Sequence, residues 1–254
     1  MEDFVKVYDN SEQVNCYINE KDLQKPEQAI INKYFDKIKN SVLLDVGIGT
    51  GRTTYHLSGI AKKYVGVDIS QGMLNGANEN FRNQNLDFKV CDARNMSIFE
   101  DNTFDVVFFS FNGIDYIEID ERILFFDEVK RISKKDALLI FSTHNIQNIP
   151  RLMRLKFSNH PKVFYEYCIK YLKLKFHNWS ADLSNNKVIK INDGLHNFKF
   201  LTTYINPIYQ KELLENYGFK NVCCFGYPSG NELNSDELIN TTDPWIYFSC
   251  TVNN

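Results

Sequence analysis

Apolar and polar positions change rhythm twice along the chain. Residues 11–39 are polar with spaced apolar positions (Val14, Ile18, Ala29, Ile30, Tyr34, Phe35, Ile38), the spacing of one or two amphipathic helices broken near Pro26. From Val42 to Phe141 short β-rich runs alternate with amphipathic stretches: VLLDV, a helix from about 52, YVGVD, a helix from about 71, DFKVCD, TFDVVFFSF, a helix from about 120, and ALLIFST. Strands alternating with helices of this length predict βαβ units, a mostly parallel sheet and helices on both faces: a doubly wound α/β fold.

The alternation stops at His144. Residues 146–200 show none of it, and they read as an insertion. After them LTTYI is strand-like, Asn206-Pro207 starts a helix that Gly218 caps, and NVCCFGY and PWIYFSCTV are two closing strands. The expected organisation is a helical lid over 1–40, a main domain formed by 41–145 and 201–254, and an inserted cap over 146–200.

Composition adds one feature to this picture. The net charge of −3 gives no global reason to expect a polyanion as partner. The charge is divided, however: residues 151–200 hold ten Lys/Arg against three acids, a segment of +7, and the rest of the chain carries −10. The insertion also holds nine aromatics, among them Phe157, Tyr165, Phe176 and Trp179. Six cysteines without a CxxC pair point to reduced thiols in a cytoplasmic protein. No apolar run approaches the ~20 residues that span a bilayer, and neither a signal peptide nor a membrane partner is expected.

Candidate chemistry begins at Asp45-Val46-Gly47-Ile48-Gly49-Thr50-Gly51-Arg52. A strand runs into alternate glycines and then a helix, where the backbone can approach a ligand and the helix offers free N–H groups. The dinucleotide fingerprint G-x-G-x-x-G would need a third glycine where Arg52 stands, so a nicotinamide enzyme is the minority reading. The next strand ends in Asp68, where a carboxylate can accept from both hydroxyls of a ribose, and the third ends in Cys91-Asp92-Ala93-Arg94. Ligands of open α/β sheets bind at these strand ends.

With these motifs in this order the chain resembles a class I S-adenosylmethionine-dependent methyltransferase of small-molecule type, over roughly residues 40–145 and the closing strands. The resemblance implies S-adenosylmethionine as cofactor and a seven-stranded Rossmann-like methyltransferase sheet, with the insertion between strands five and six. It places Asp45, Gly47, Gly49 and Gly51 under the methionine part of the cofactor and Asp68 on the ribose. Ile69 would pack on the adenine, Asp92 meet its exocyclic amine, and the backbone of Ala93 its ring. Ser110, Phe111 and Asn112 would contact the methionine amine through their carbonyls.

The acceptor side is sought after strands four and five. Asn112, Asp115 and Tyr116 are polar where a continued strand would be apolar, and His144 stands at the end of strand five. Imidazole titrates near neutral pH, so His144 is the preferred general base, with Asp115 to orient it; a structural or capping histidine is the alternative. Catechol-type relatives hold magnesium with Asp-Asn after strand five. His144-Asn145 replaces that pair, and His160, His177 and His196 lack ligand spacing, so no metal is expected. Asn206-Pro207-Ile208-Tyr209 is similar to the NPPY-type motif of DNA amino-methyltransferases, but it lies outside the loop after strand four and reads as a turn. Tyr8 and Tyr17 are placed to fold over the cofactor, or simply to pack.

The expected reaction is methyl transfer to a small molecule, a hydroxyl of an anionic, phosphorylated or nucleotide-linked sugar such as a surface-glycan precursor, with the basic insertion attracting the charge. Rival readings are an N-methyltransferase on a small amine, an RNA methyltransferase gripping phosphates with the insertion, and a scaffold that binds the cofactor without catalysis. The insertion itself admits a plainer reading, a solvated lysine face over an aromatic core carried by Leu155, Val163, Tyr167, Tyr171 and Leu174.

Overall fold

A computed structural model describes residues 2–253. Four short helices lead in: α1 (Glu2–Tyr8), α2 (Ser11–Tyr17), α3 (Lys25–Lys33) and α4 (Phe35–Lys39). The alternating region follows as β1 (Val42–Val46), α5 (Thr54–Leu57), β2 (Lys63–Asp68), α6 (Gln71–Asn80), β3 (Asp87–Val90), β4 (Phe104–Phe109), α7 (Arg122–Ile132) and β5 (Ser133–Asn145). The insertion supplies α8 (Ile149–Leu152), α9 (Pro161–His177) and β6 (Val188–Ile191). The chain closes with β7 (Thr202–Ile205), α10 (Pro207–Asn216), β8 (Lys220–Gly226), β9 (Glu232–Leu233), α11 (Ser235–Asn240) and β10 (Trp245–Thr251).

The strands form one sheet in the order β3-β2-β1-β4-β5-β10-β8-β9, with β6 and β7 beside the end of β5. Pairing is parallel from β3 to β5, and β10 enters antiparallel to both β5 and β8. The doubly wound, mostly parallel sheet is as expected, but it has ten strands rather than seven. The additions are short: β9 edges β8, and β6 pairs with β7, which continues the ladder along His144 and Asn145 where β5 runs past the end of β4.

Alternation within the strands builds a core on each face of the sheet. Leu43, Val106, Phe108, Leu138 and Ile140 point to one side, against Ile30, Ile31 and Ile38 of α3 and α4. Their neighbours Leu44, Val107, Phe109, Leu139 and Phe141 point to the other, against Phe125, Phe126 and Val129 of α7. Residues 1–40 are therefore not one lid. The expected break falls just before Pro26, between α2 and α3; Pro26 itself occupies the first turn of α3, where its missing N–H costs nothing, and α3 and α4 are a packed layer of the main domain.

α1 and α2 differ: they lie over the strand ends. Asp9 accepts from Ser70 Oγ (2.6 Å) and the Gly72 amide (2.9 Å) at the start of α6. The carbonyl of Tyr17 accepts from Thr50 Oγ1 (2.9 Å), and that of Ile18 from Asn80 Nδ2 (3.1 Å).

Candidate active site

The strand order reverses between β1 and β4, and the loops leaving their C-terminal ends diverge to open a cleft. Its walls come from residues 45–53 after β1, 68–73 after β2, 91–93 after β3 and 109–117 after β4, with Tyr8, Tyr17 and Glu20 closing one side. Two glycines make the approach possible. Gly47 has φ +68°, and a side chain there would strike the Phe109 ring. Gly49 has φ +56° with open space where a Cβ would stand, a cradle beside the Asp68 carboxylate. Gly51, expected in the same role, does not line the cleft; it sits against the Phe81 ring, and its positive φ serves the turn into α5.

Asp68 accepts from the Gly49 amide at Oδ2 (2.8 Å) and the Ser70 amide at Oδ1 (2.9 Å), so both oxygens of this cleft-lining carboxylate are held. Burial pushes its pKa up to about 6 against the pull of those amides. Asp45 accepts at Oδ2 from Thr53 Oγ1 (2.6 Å) and Tyr64 OH (2.7 Å), and burial raises it to about 7. Asp92 is half-exposed and chelated by Arg94, which also pairs with Glu121. Burial opposes its charge, but the guanidinium prevails and holds the carboxyl below the usual range. Ile69, Ala93, Ser110, Phe111 and Tyr116 complete the expected set on the walls.

The most connected charge in the site is one the sequence reading passed over. Glu27 of α3 has no exposed surface and accepts from Arg52 Nη1 (2.7 Å) and Nη2 (2.6 Å), Tyr247 OH (2.9 Å), the Gln24 amide (2.7 Å) and Ser110 Oγ. Burial works against the carboxylate, but the Arg52 pair and the other donors hold its pKa below the usual range. Arg52 also covers the Phe111 ring at 4.8 Å and donates to the carbonyl of Asp22 (3.0 Å). The available signal was Arg52 itself, a cation directly after the glycine loop. It registered only as the residue that spoils a dinucleotide fingerprint.

The expected catalytic residues divide. Tyr116 lines the cleft, in contact with Tyr8. Asn112, Asp115 and His144 are buried behind the cleft's wall rather than on it. Asp115 accepts from the His144 amide and from His144 Nδ1 (each 2.7 Å), from Arg122 Nη2 (2.9 Å) and from Thr143 Oγ1. His144 is thus fixed as the tautomer with Nδ1–H, its Nε2 lies 3.5 Å from the Asn112 amide nitrogen, and its ring packs beside Tyr204 and Trp245. Phe111 and Asn112 both hold left-handed backbone, φ 58° and 60°, a strained turn joining cleft to histidine. Asn112 Oδ1 is buried without a hydrogen-bond partner.

Among the described residues, none of 146–200 lines this cleft, in place of the cap expected there. Its root lies nearby: Phe200 meets Tyr116 edge-on at 6.4 Å, and Tyr204 OH donates to Asp193 (3.2 Å). The His196 side chain lies outside the described ones. Asn206 N-caps α10, accepting from the Ile208 amide (3.0 Å), which is the turn expected of it.

Comparison with known proteins bears on this arrangement. Residues 43–136 match the family described as "Methyltransferase domain". The chain is 28% identical over 203 residues to the demethylmenaquinone methyltransferase of Lactobacillus johnsonii, covering 75% of this chain and 73% of that one. It is 29% identical over 133 residues to a protein of Invertebrate iridescent virus 6, where the match covers 50% of this chain and 46%, less than half, of the viral one. In fold it resembles the Burkholderia thailandensis 1,6-didemethyltoxoflavin-N1-methyltransferase, solved with its acceptor and S-adenosylhomocysteine, with a TM-score of 0.61 at 12% identity over 100% of this chain and 87% of that chain.

Two outcomes test the electrostatics. Glu27→Gln leaves Arg52 buried without its counter-charge and is expected to cost about 3–5 kcal/mol of stability in urea unfolding. Asp45 has a folded pKa of about 7 against an ordinary 3.8. The unfolded chain therefore ionises first, and stability falls as pH rises between those values. Thermal melts of the ligand-free protein should show Asp45→Asn gaining on the wild type from pH 5 to pH 8.

Proposed function

We propose that the chain moves a methyl group from S-adenosylmethionine to a hydroxyl of a small, planar, ring-shaped acceptor, a reading supported by the match of residues 43–136 to a methyltransferase domain. The observation that carries the reading is the open Gly49 cradle beside the doubly held Asp68 carboxylate, in a cleft whose walls also bear Asp45, Asp92 and Glu20. Four carboxylates fit a ligand that is cationic at sulfur and nitrogen and donates from a ribose. Arg52, the cation among them, is already neutralised by Glu27.

When bound, the cofactor supplies a methyl group made electrophilic by its sulfonium. The chain's residues do the rest. Asp68 would hold the ribose hydroxyls, Ile69 and the Ala93 backbone would take the adenine, and Asp92, paired with Arg94, would meet its amine. Asp45 and the loop carbonyls of Ser110 and Phe111 counter the positive end. Tyr8 and Tyr17 close over the cleft as the lid, shutting out water that would compete for the methyl group. His144, held by Asp115 behind the cleft's wall, is the base we assign to the acceptor's proton at Nε2, and the acceptor reaches it and the unpartnered end of the Asn112 amide only when the strained turn at Phe111 and Asn112 moves aside.

The acceptor's chemistry is read from the walls. None of the ten cations of 151–200 lines the cleft, which leaves an anionic sugar without a counter-charge there. Tyr8, Tyr17, Phe111 and Tyr116 instead offer faces and edges to an aromatic ring. The Lactobacillus relative's name, a demethylmenaquinone methyltransferase, supports the same choice.

Asp68→Ala is expected to abolish cofactor binding in calorimetry; wild-type affinity would overturn the site. His144→Gln should keep cofactor affinity and lower turnover about 100-fold, with labelled methyl reaching hydroxylated aromatic rings and not sugar phosphates. Unchanged turnover would remove His144 from the mechanism.

A further inference from the structure

Helix α9 is apolar on two opposite faces. Val163, Tyr167, Tyr171 and Leu174 turn toward the domain, half-buried or buried. Tyr165, Ile169, Leu172 and Phe176 recur at intervals of four, three and four residues on the other side, and Trp179 follows just beyond the helix end. This second stripe faces solvent: Trp179 is 84% exposed, Phe176 75%, Tyr165 66% and Leu172 60%. Phe157 and Leu155, on the segment leading into the helix, are exposed as well. Contiguous exposed apolar surface of this kind marks an interaction site.

The helix is not loose. Asn178 donates to the Asn192 carbonyl and accepts from the Asn192 amide, both at 2.8 Å, and the His177 ring stacks on Phe198 at 4.5 Å. These contacts clamp the end of α9 to the segment after β6 and hold the stripe outward. Lysines border it: Lys162 and Lys173 fall along one edge and Lys175 along the other, with Lys170 further round. None of the four makes an ion pair among the described residues.

We propose that this face lies on an anionic membrane surface, with the stripe in the headgroup boundary and the lysines against lipid phosphates. An amphipathic helix with aromatic and aliphatic residues on one face and lysines beside it has the chemistry of interfacial binding. The charge division favours the same orientation, because the +7 segment turns toward a negative surface and the −10 body away from it. A second copy docked on the same stripe would set these lysines against their own images. Stacked bases would suit the aromatics but not Ile169 and Leu172 at the middle of the stripe. Among the described residues no helix is long and apolar enough to cross a membrane; lying on one requires no such length. The absence of a membrane partner expected from the sequence is thereby revised, and the proposal is independent of the methyl-transfer reading.

The full chain is sedimented with vesicles of phosphatidylcholine and phosphatidylglycerol in equal parts, with phosphatidylcholine alone, and with single-stranded RNA. Binding to the anionic vesicles should exceed the other two by at least about tenfold and shift tryptophan emission to the blue, a shift lost in Trp179→Phe. Leu172→Glu with Phe176→Glu should lower vesicle binding at least about tenfold, and Lys162→Glu or Lys173→Glu roughly fivefold each, with circular dichroism unchanged because all four side chains are exposed. No sedimentation with anionic vesicles overturns the proposal. So does undiminished binding by the glutamate variants, tighter binding to RNA, or a dimer that Leu172→Glu dissolves.

Discussion

The buried pair of Glu27 and Arg52 ties the site together. A carboxylate with no exposed surface is sustained by five donors from four places in the chain: its own helix start, the glycine loop, the end of β4, and β10. Taking both charges out of water costs several kcal/mol, which the bidentate geometry and the extra hydrogen bonds offset. The pair therefore acts less as a source of stability than as a fixed joint. It holds α3 against the sheet, sets the glycine loop, and orients Ser110 at the point where the cleft begins.

The same pair decides the sign of the cleft. With Arg52 neutralised, Asp45, Asp68 and Asp92 set the potential, and burial lifts Asp45 and Asp68 to pKa values of about 7 and 6. Raised carboxylates mean that the cleft holds negative charge at a cost. A ligand that brings positive charge and hydroxyl donors relieves that cost without the protein rearranging, which is preorganisation in an electrostatic form. On the far side of the strained turn at Phe111 and Asn112, Asp115 fixes His144 by the same means, a buried carboxylate with every lone pair directed.

Much of the main domain was legible because its signals are local. Successive residues of β4 and β5 enter opposite cores, and that alternation, together with the glycines and the acids that end β1, β2 and β3, was visible in segments of a few residues. Glu27 was not, because its partners stand 25, 83 and 220 positions away and nothing in a polar helix marks one acid among several. The insertion failed for a related reason. Its periodicity located α9, but a helix with two apolar faces does not say which face finds a partner. Only the tertiary structure shows Leu174 inward, Phe176 outward, and no lysine of the segment at the cleft. β7 was legible as LTTYI, whereas β6 and β9 escaped notice because strands of two to four residues are created by the edge they join.

The central claim is that Glu27 neutralises Arg52 in the cleft wall while Asp68 holds the ribose. A crystal structure of the complex with S-adenosylhomocysteine tests it most directly. The account predicts the ribose hydroxyls on both oxygens of Asp68, the adenine between Ile69 and Ala93, and the Glu27–Arg52 pair unchanged behind them. A nucleoside bound elsewhere, or Arg52 swung away from Glu27 to grip the ligand's carboxylate, would contradict it.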